Sequence, residues 1–185
     1  ESLLISGDKD SVSQYNEKMI KKLRHYNTPT LNREIGNYIS GYTDGEGCFS
    51  VSFSKRPKLK MGWEVKPSFS VGQNYDRREV LDLMKEYFKC GFMRRDYSDK
   101  TLKYEIRSLE ELLNNIVPHF QKFPLLSSKN KDFLLFAEIC GQMRNFEHRN
   151  LRGIKKIINL AYKMNGSGKR KYSQKAILRS VQMKI

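Results

Sequence analysis

The chain is short of alanine, cysteine, histidine and acid, and it contains no long apolar run. Its only alanines are Ala137, Ala161 and Ala176, while Lys, Ile, Asn, Phe and Tyr abound. That bias follows from AT-rich coding sequence and fits an organellar genome (chloroplast or mitochondrion) or a bacterial cytoplasm. The three cysteines, Cys48, Cys90 and Cys140, are isolated and odd in number. They form neither a zinc pattern nor a disulfide framework, which points to a reducing, intracellular compartment. His25, His119 and His148 fall in no metal-ligand spacing, so histidine is not expected to carry the chemistry. No segment has the length and apolarity of a membrane span or a signal-peptide core, and no membrane partner is expected. Acids number 20 against 35 Lys and Arg, a net charge of +15. With 185 residues, 38 % of them hydrophobic, the chain is large enough to build a core and too apolar to be a disordered basic tail. The charge excess is the footprint of a polyanion binder, with nucleic acid the expected partner.

What is present reads as alternating helices and hairpins. Residues 1–31 are polar, with a helical stretch expected from about Ser13 to Tyr26 and a break at Thr28-Pro29-Thr30. Asn32 to Asp44 reads as a helix with Asn32 as its N-cap. Cys48 to Arg56 alternates, Phe49, Val51 and Phe53 on one face and Ser50, Ser52, Ser54 and Arg56 on the other. Trp63 to Gln73 alternates again, and period two with one wet face predicts an antiparallel hairpin. Asp76 to Phe88 is an amphipathic helix. Phe92–Tyr97 and Thr101–Arg107 form a second hairpin. Helices follow over Leu109–Phe120, Asn130–Met143, Arg149–Met164 and Ser173–Val181. The expected domains are a 1–31 N-terminal extension and one domain over 32–185. The expected fold class is α+β: two hairpins joined in a four-stranded sheet, helices on its apolar face, its polar face open.

Such an open antiparallel surface fits the DNA major groove, where the base edges are distinguishable. Ser50, Ser52, Ser54 and Arg56 suit base edges, and Lys66, Ser70, Arg94, Lys103, Glu105 and Arg107 extend the surface. At its end lies a nine-residue stretch, Ile39-Ser40-Gly41-Tyr42-Thr43-Asp44-Gly45-Glu46-Gly47. Ser40 and Gly41 give a small-residue surface that lets a second helix approach closely. Asp44 and Glu46 place carboxylates where helix passes into strand. Phosphodiester cleavage uses divalent metal held by carboxylates, and Mg²⁺ needs only one or two of them beside phosphate oxygens and waters. One Glu46 with a nearby backbone carbonyl is a sufficient protein contribution.

Position by position, Ile39 to Gly47 resembles the motif of the LAGLIDADG homing endonucleases, and the element order looks like that family's αββαββα core over roughly 32–185. The resemblance implies a metal-dependent double-stranded DNA endonuclease with Mg²⁺ on Glu46 and on the Gly45 carbonyl, and a structural Asp44. Phe69-Ser70-Val71-Gly72-Gln73 is similar to the family's second strand and implies that Gln73 lines the active-site water pocket, with Arg77 facing it. Phe123-Pro124-Leu125-Leu126 and the residues to Phe133 resemble the segment that carries an active-site lysine, Lys129 first and Lys131 second. Asn165 to Ser173 looks like the loop that touches the DNA backbone, through Lys169, Arg170 and Lys171.

A single motif implies a homodimer packed through Ser40 and Gly41, and hence a near-palindromic target cut to staggered ends. The alternative on the same fold is an intron-encoded maturase that binds intron RNA. The retention of Glu46, Gln73 and Lys129 opposes the loss of catalysis which that alternative entails. A non-catalytic DNA-binding regulator is a third reading, opposed by the absence of an appended helix-turn-helix pattern.

Overall fold

A computed structural model describes residues 29–97, 100–166 and 168–183. The helix expected over Ser13–Tyr26 lies outside the described residues.

The first described helix, α1, runs Pro29–Glu46. It starts earlier than expected, because a proline whose φ is already helical opens it. Asn32 therefore lies inside the helix and does not cap it. The helix also runs past Gly45 and passes directly into β1 (Gly47–Lys55), which turns back into β2 (Trp63–Asn74). A short 3₁₀ turn, Tyr75–Arg77, leads into α2 (Glu79–Phe88). Strands β3 (Phe92–Asp96) and β4 (Thr101–Ile106) form the second hairpin. The next helical run, 109–122, is α at Leu109–Glu111 and Val117–Lys122 and π over Leu112–Ile116; it is α3. Pro118 has no N–H to return to the preceding turn, and the widened turn just before it accommodates that loss. Helices α4 (Lys129–Arg144), α5 (Leu151–Ala161) and α6 (Gln174–Gln182) complete the described chain.

All pairings are antiparallel, in the order β1-β2-β4-β3. The hairpins join through β2 and β4, from Phe69 opposite Ile106 to Asn74 opposite Thr101. This is the α+β arrangement, αββαββα, expected from the alternation. The inward rows of the sheet meet the helices in one core. Phe49 is its centre, its ring centroid 5.2 Å from those of Phe69 and Phe120 and 5.4 Å from those of Phe133 and Phe136. Trp63 donates its indole N–H to Ser180 Oγ (3.2 Å), tying α6 to the start of β2.

Helix α1 has two faces. Gly36, Ser40 and Thr43 are buried, whereas Tyr38, Gly41 and Gly45 are exposed. A Cβ on Gly36 would lie 2.5 Å from the Phe123 ring, so the helix lies against that ring only because the residue is glycine. Gly36→Ala should destabilise the fold by about 1–3 kcal/mol through overpacking. Gly141→Ala on α4, where a Cβ meets nothing within 4 Å, should stabilise it by up to about 1 kcal/mol. Urea unfolding of the two variants checks the contrast.

Candidate active site and nucleic-acid face

The junction between α1 and β1 has no linker. A Cβ on Gly47 would strike the Thr43 side chain and lie 2.7 Å from the Thr43 carbonyl oxygen, so no other residue type fits that turn. Glu46, the last residue of α1, is exposed, and its carboxylate makes no hydrogen bond or ion pair with any described residue.

Two contacts from the 123–129 segment hold this junction. The Asp44 carboxylate accepts from Leu126 N (2.8 Å), Ser127 N (3.1 Å) and Ser127 Oγ (2.6 Å). Desolvation pulls its pKa upward, but the Ser127 hydroxyl, the two amides and the charge of Lys129 outweigh it and hold the carboxyl below the ordinary carboxylate range. The Lys129 ammonium donates to the carbonyls of Thr43 (2.8 Å) and Gly45 (3.4 Å). A cation on the last carbonyls of a helix is where the macrodipole favours it. Lys131 is exposed and makes no such contact. The structure thus brings Lys129, and not Lys131, to the end of the motif helix.

Gln73 arrives from the other side. Gly47 pairs with Val71, which sets the end of β2 beside the junction. Gln73 Nε2 donates to the Tyr42 hydroxyl, and its Oε1 accepts from Asn74 N (2.7 Å). Tyr42, which the sequence reading left without a role, fixes this amide. Lys103 lays its stem across Gly72, 3.7 Å from where a Cβ would stand. Arg77 sits exposed on the 3₁₀ turn just past Gln73, while its neighbour Arg78 is engaged by Asp82 at 2.8 and 2.9 Å.

The donor set fits a hard divalent cation shared with a phosphate. Among the described residues there is no group of three or more His, Cys, Asp or Glu that forms a protein-only cage. An exposed carboxylate beside helix-end carbonyls that already hold an ammonium is what Mg²⁺ takes when substrate oxygens and waters supply the rest.

The outer face of the sheet is polar and largely self-paired. Ser50 and Ser68 share a hydrogen bond of 2.8 Å, and Ser52 reaches the Lys66 carbonyl at 3.5 Å. Ser54 and Ser70 are part-exposed on the same face. Glu64 takes Arg56 (2.9 Å) and Lys66 (3.2 Å), and the Arg56 hydrogen bond holds its pKa below the usual range. Glu105 takes Arg94 (3.3 Å) and both Nε and Nη2 of Arg107 (2.8 Å each).

Three expectations need correction. Glu105 is 7 % exposed under its two arginines, so it is not an open contact residue. Arg170 turns inward, donating to the carbonyls of Val51 (2.9 Å), Ala161 and Met164 (3.4 Å) over the Tyr162 ring; edge strand β1 and the end of α5 consume the guanidinium that was assigned to DNA. Lys169 and Lys171 remain exposed. Ser40 is 4 % exposed and donates to the Phe123 carbonyl (2.7 Å), so it faces the chain's own core, and only Gly41 of the pair lies on the free face of α1. Beside Ser40, His119 is a core residue whose pKa burial and Lys122 push down to about 4. Asn165, which the sequence reading marked only as the start of the 165–173 loop, pins that segment by donating to the Phe49 carbonyl (2.7 Å).

A helix that ends in a metal-competent carboxylate, on the rim of an αββαββα sheet with a basic open face, defines a class of nucleic-acid-cleaving fold. Residues 39–140 match the family profile described as LAGLIDADG endonuclease. The chain belongs to that family. It is 32 % identical over 130 residues to a probable intron-encoded endonuclease 2 of Neurospora crassa, covering 70 % of this chain and 29 % of that protein. It is 29 % identical to the homing endonuclease I-ApeII of Aeropyrum pernix, covering 80 % of this chain and 90 % of that one. Among solved structures, the homing endonuclease I-TnaI superposes with TM-score 0.70 at 31 % identity, over 81 % of this chain and 97 % of its own. I-SmaMI bound to uncleaved DNA in the presence of calcium ions superposes with TM-score 0.71 at 32 % identity, over 77 % of this chain and 48 % of its own. The chain thus spans less than a third of the Neurospora relative and nearly all of I-TnaI.

The Asp44 clamp has a pH signature. A carboxyl with a depressed folded-state pKa adds stability above its unfolded value, about 3.9, and loses it as pH falls through the lower folded value. Asp44→Ala should therefore cost about 2 kcal/mol at pH 7. The deficit should shrink as the pH is lowered into the acid range, as followed by denaturation of both proteins across pH.

Proposed function

We propose that this chain is a site-specific, metal-dependent endonuclease that cuts double-stranded DNA as a homodimer. The observation that carries the reading is the Glu46 carboxylate at the end of α1, exposed and without a partner among the described residues, with Lys129 held on the adjoining carbonyls.

In this reading the Ser, Arg and Lys side chains of the open sheet (Ser50, Ser52, Ser54, Ser70, Arg56, Lys66, Lys103) approach base edges and phosphates. Lys169 and Lys171 neutralise backbone charge beside β1. Glu46 and the Gly45 carbonyl would hold Mg²⁺. The bound ion supplies Lewis-acid polarisation of the phosphate and lowers the pKa of a coordinated water. Gln73 keeps a lone pair on Oε1 after accepting from Asn74, and with Tyr42 fixing its amide it orients a water for in-line attack. The Lys129 ammonium and the Arg77 guanidinium stabilise the negative charge that grows on the phosphoryl oxygens. Lys129 shares the Gly45 carbonyl with the cation it assists, and its hold on Thr43 keeps it within reach.

A second copy supplies the cut on the other strand. Gly41 and Gly45 lie one helical turn apart on the free face of α1, and a Cβ at either meets nothing within 4 Å. Tyr38, 50 % exposed, borders them. Two such faces can approach backbone to backbone, which sets two Glu46 carboxylates side by side and makes the target near-palindromic. The alanine-poor composition and the intron-encoded relatives favour an organellar setting.

A library of palindromic duplexes incubated with Mg²⁺ tests the reading. The wild type should sediment as a dimer and cut recurring sites to staggered ends. Glu46→Gln should bind the same sites but cut them at least a hundredfold more slowly, the scale of losing several kcal/mol of charge stabilisation. Cleavage by Glu46→Gln at the wild-type rate contradicts the site. Tight binding of structured RNA with no cutting of any duplex contradicts the function.

A further inference from the structure

On the open face, Glu105 departs from its neighbours. Its backbone register places it between Ser70 of β2 and Phe92 of β3, while Leu102, Tyr104 and Ile106 of the same strand fill the core. An outward carboxylate on a wet sheet is normally solvated, yet Glu105 is 7 % exposed. What covers it is arginine: Arg107 docks its Nε–Nη2 edge on both carboxylate oxygens at 2.8 Å, and Arg94 brings Nε to Oε2 at 3.3 Å. The Arg107 head also lies 5.4 Å from the centroid of the Phe92 ring, which gives it a floor.

We infer that Glu105 is a positioning residue that presents Arg94 and Arg107 as two fixed forks reading neighbouring guanines in each half-site. The inference rests on the proposed reading of this face as DNA-facing.

The donor geometry supports guanine. A guanidinium has two bidentate edges, and both arginines engage Glu105 through the side that carries Nε. Glu105 takes only the Nε–Nη2 edge of Arg107 and Nε of Arg94, which leaves Nη1 and the second Nη2 hydrogen of Arg107, and the Nη donors of Arg94, unused by Glu105; an Nη1–Nη2 end pairs with O6 and N7 of guanine, the commonest specific arginine contact in the major groove. Both arginines donate to the same oxygen, Oε2, so their heads lie within about two base-pair steps of each other, a step being about 3.4 Å along a strand. Sharing one carboxylate reduces the net charge of the trio from two to one, which weakens a purely phosphate-seeking role. It also removes rotamer freedom before DNA arrives, so less is lost per bond formed.

The test is competitive selection of duplexes from a randomised library in Ca²⁺, followed by sequencing, for wild type, Arg107→Ala, Arg94→Ala, Glu105→Gln and Glu105→Ala, with melting temperatures measured alongside. The wild type should select guanine at neighbouring positions of each half-site. Each arginine variant should lower that preference about tenfold or more at its own position. Glu105→Ala should lower it at both positions and leave preferences elsewhere intact. Glu105→Gln, isosteric but with one acceptor oxygen, should retain part of the preference at one of them. A merely structural role for Glu105 would lower melting temperature or weaken all sequences alike, and either result without the local loss overturns the inference. So does an unchanged guanine preference in Glu105→Ala. A wild type that selects duplexes without guanine at any Arg-dependent position overturns the inference alone. A wild type that selects no duplex overturns the nuclease reading and the inference with it.

Discussion

The fit of the 123–129 segment onto the end of α1 is the constraint on which the rest of the candidate site depends. Lys129 and Thr43 are 86 residues apart in sequence, and Asp44 and Ser127 are 83 apart. Asp44 satisfies the amides that precede α4, and Lys129 returns the favour by satisfying carbonyls that α1 leaves open at its C-terminus. Each end removes the other's unpaired groups, which would otherwise be costly. The joint leaves Glu46 without a partner among the described residues because its neighbours do the tying. An exposed carboxylate beside two carbonyls that hold a cation is chemically useful for that reason.

A second pattern recurs across the sheet. The chain is strongly basic, yet two acids lie within its polar face, Glu64 and Glu105, each gripped by two cations. The exposed pairs at Glu64 contribute little stability. The effect of the pairs at both acids is geometric: they hold long side chains in one orientation on the open face. The edge strand β1 is treated similarly, its outer carbonyls taken by Asn165 and Arg170, which closes an edge open to unwanted strand pairing.

Much of this was legible in the residues. The alternation of Phe49, Val51 and Phe53 with Ser50, Ser52 and Ser54 fixes which side of β1 is buried, and the motif places Glu46 at the junction. What was not legible depends on partners far away in sequence. Ser40 and Gly41 are adjacent small residues, and only the Phe123 carbonyl decides that one faces inward. Lys169, Arg170 and Lys171 read alike as a basic run, but Arg170 alone reaches carbonyls on β1 and α5. Glu105 reads as one more polar position, because its burial comes from Arg94 and Arg107 folding over it. The start of α1 was missed for a local reason, a proline taken as a break that is the helix's first residue.

The central claim is that Glu46, at the end of α1, is the ligand through which this fold engages its metal. The most direct measurement is an anomalous-scattering map of the protein bound to its target duplex with Mn²⁺ as the ion. The account predicts a peak about 2.1 Å from a Glu46 carboxylate oxygen and in contact with the Gly45 carbonyl and a phosphate oxygen. A metal bound elsewhere on the protein, with Glu46 making no contact to it, would contradict the account.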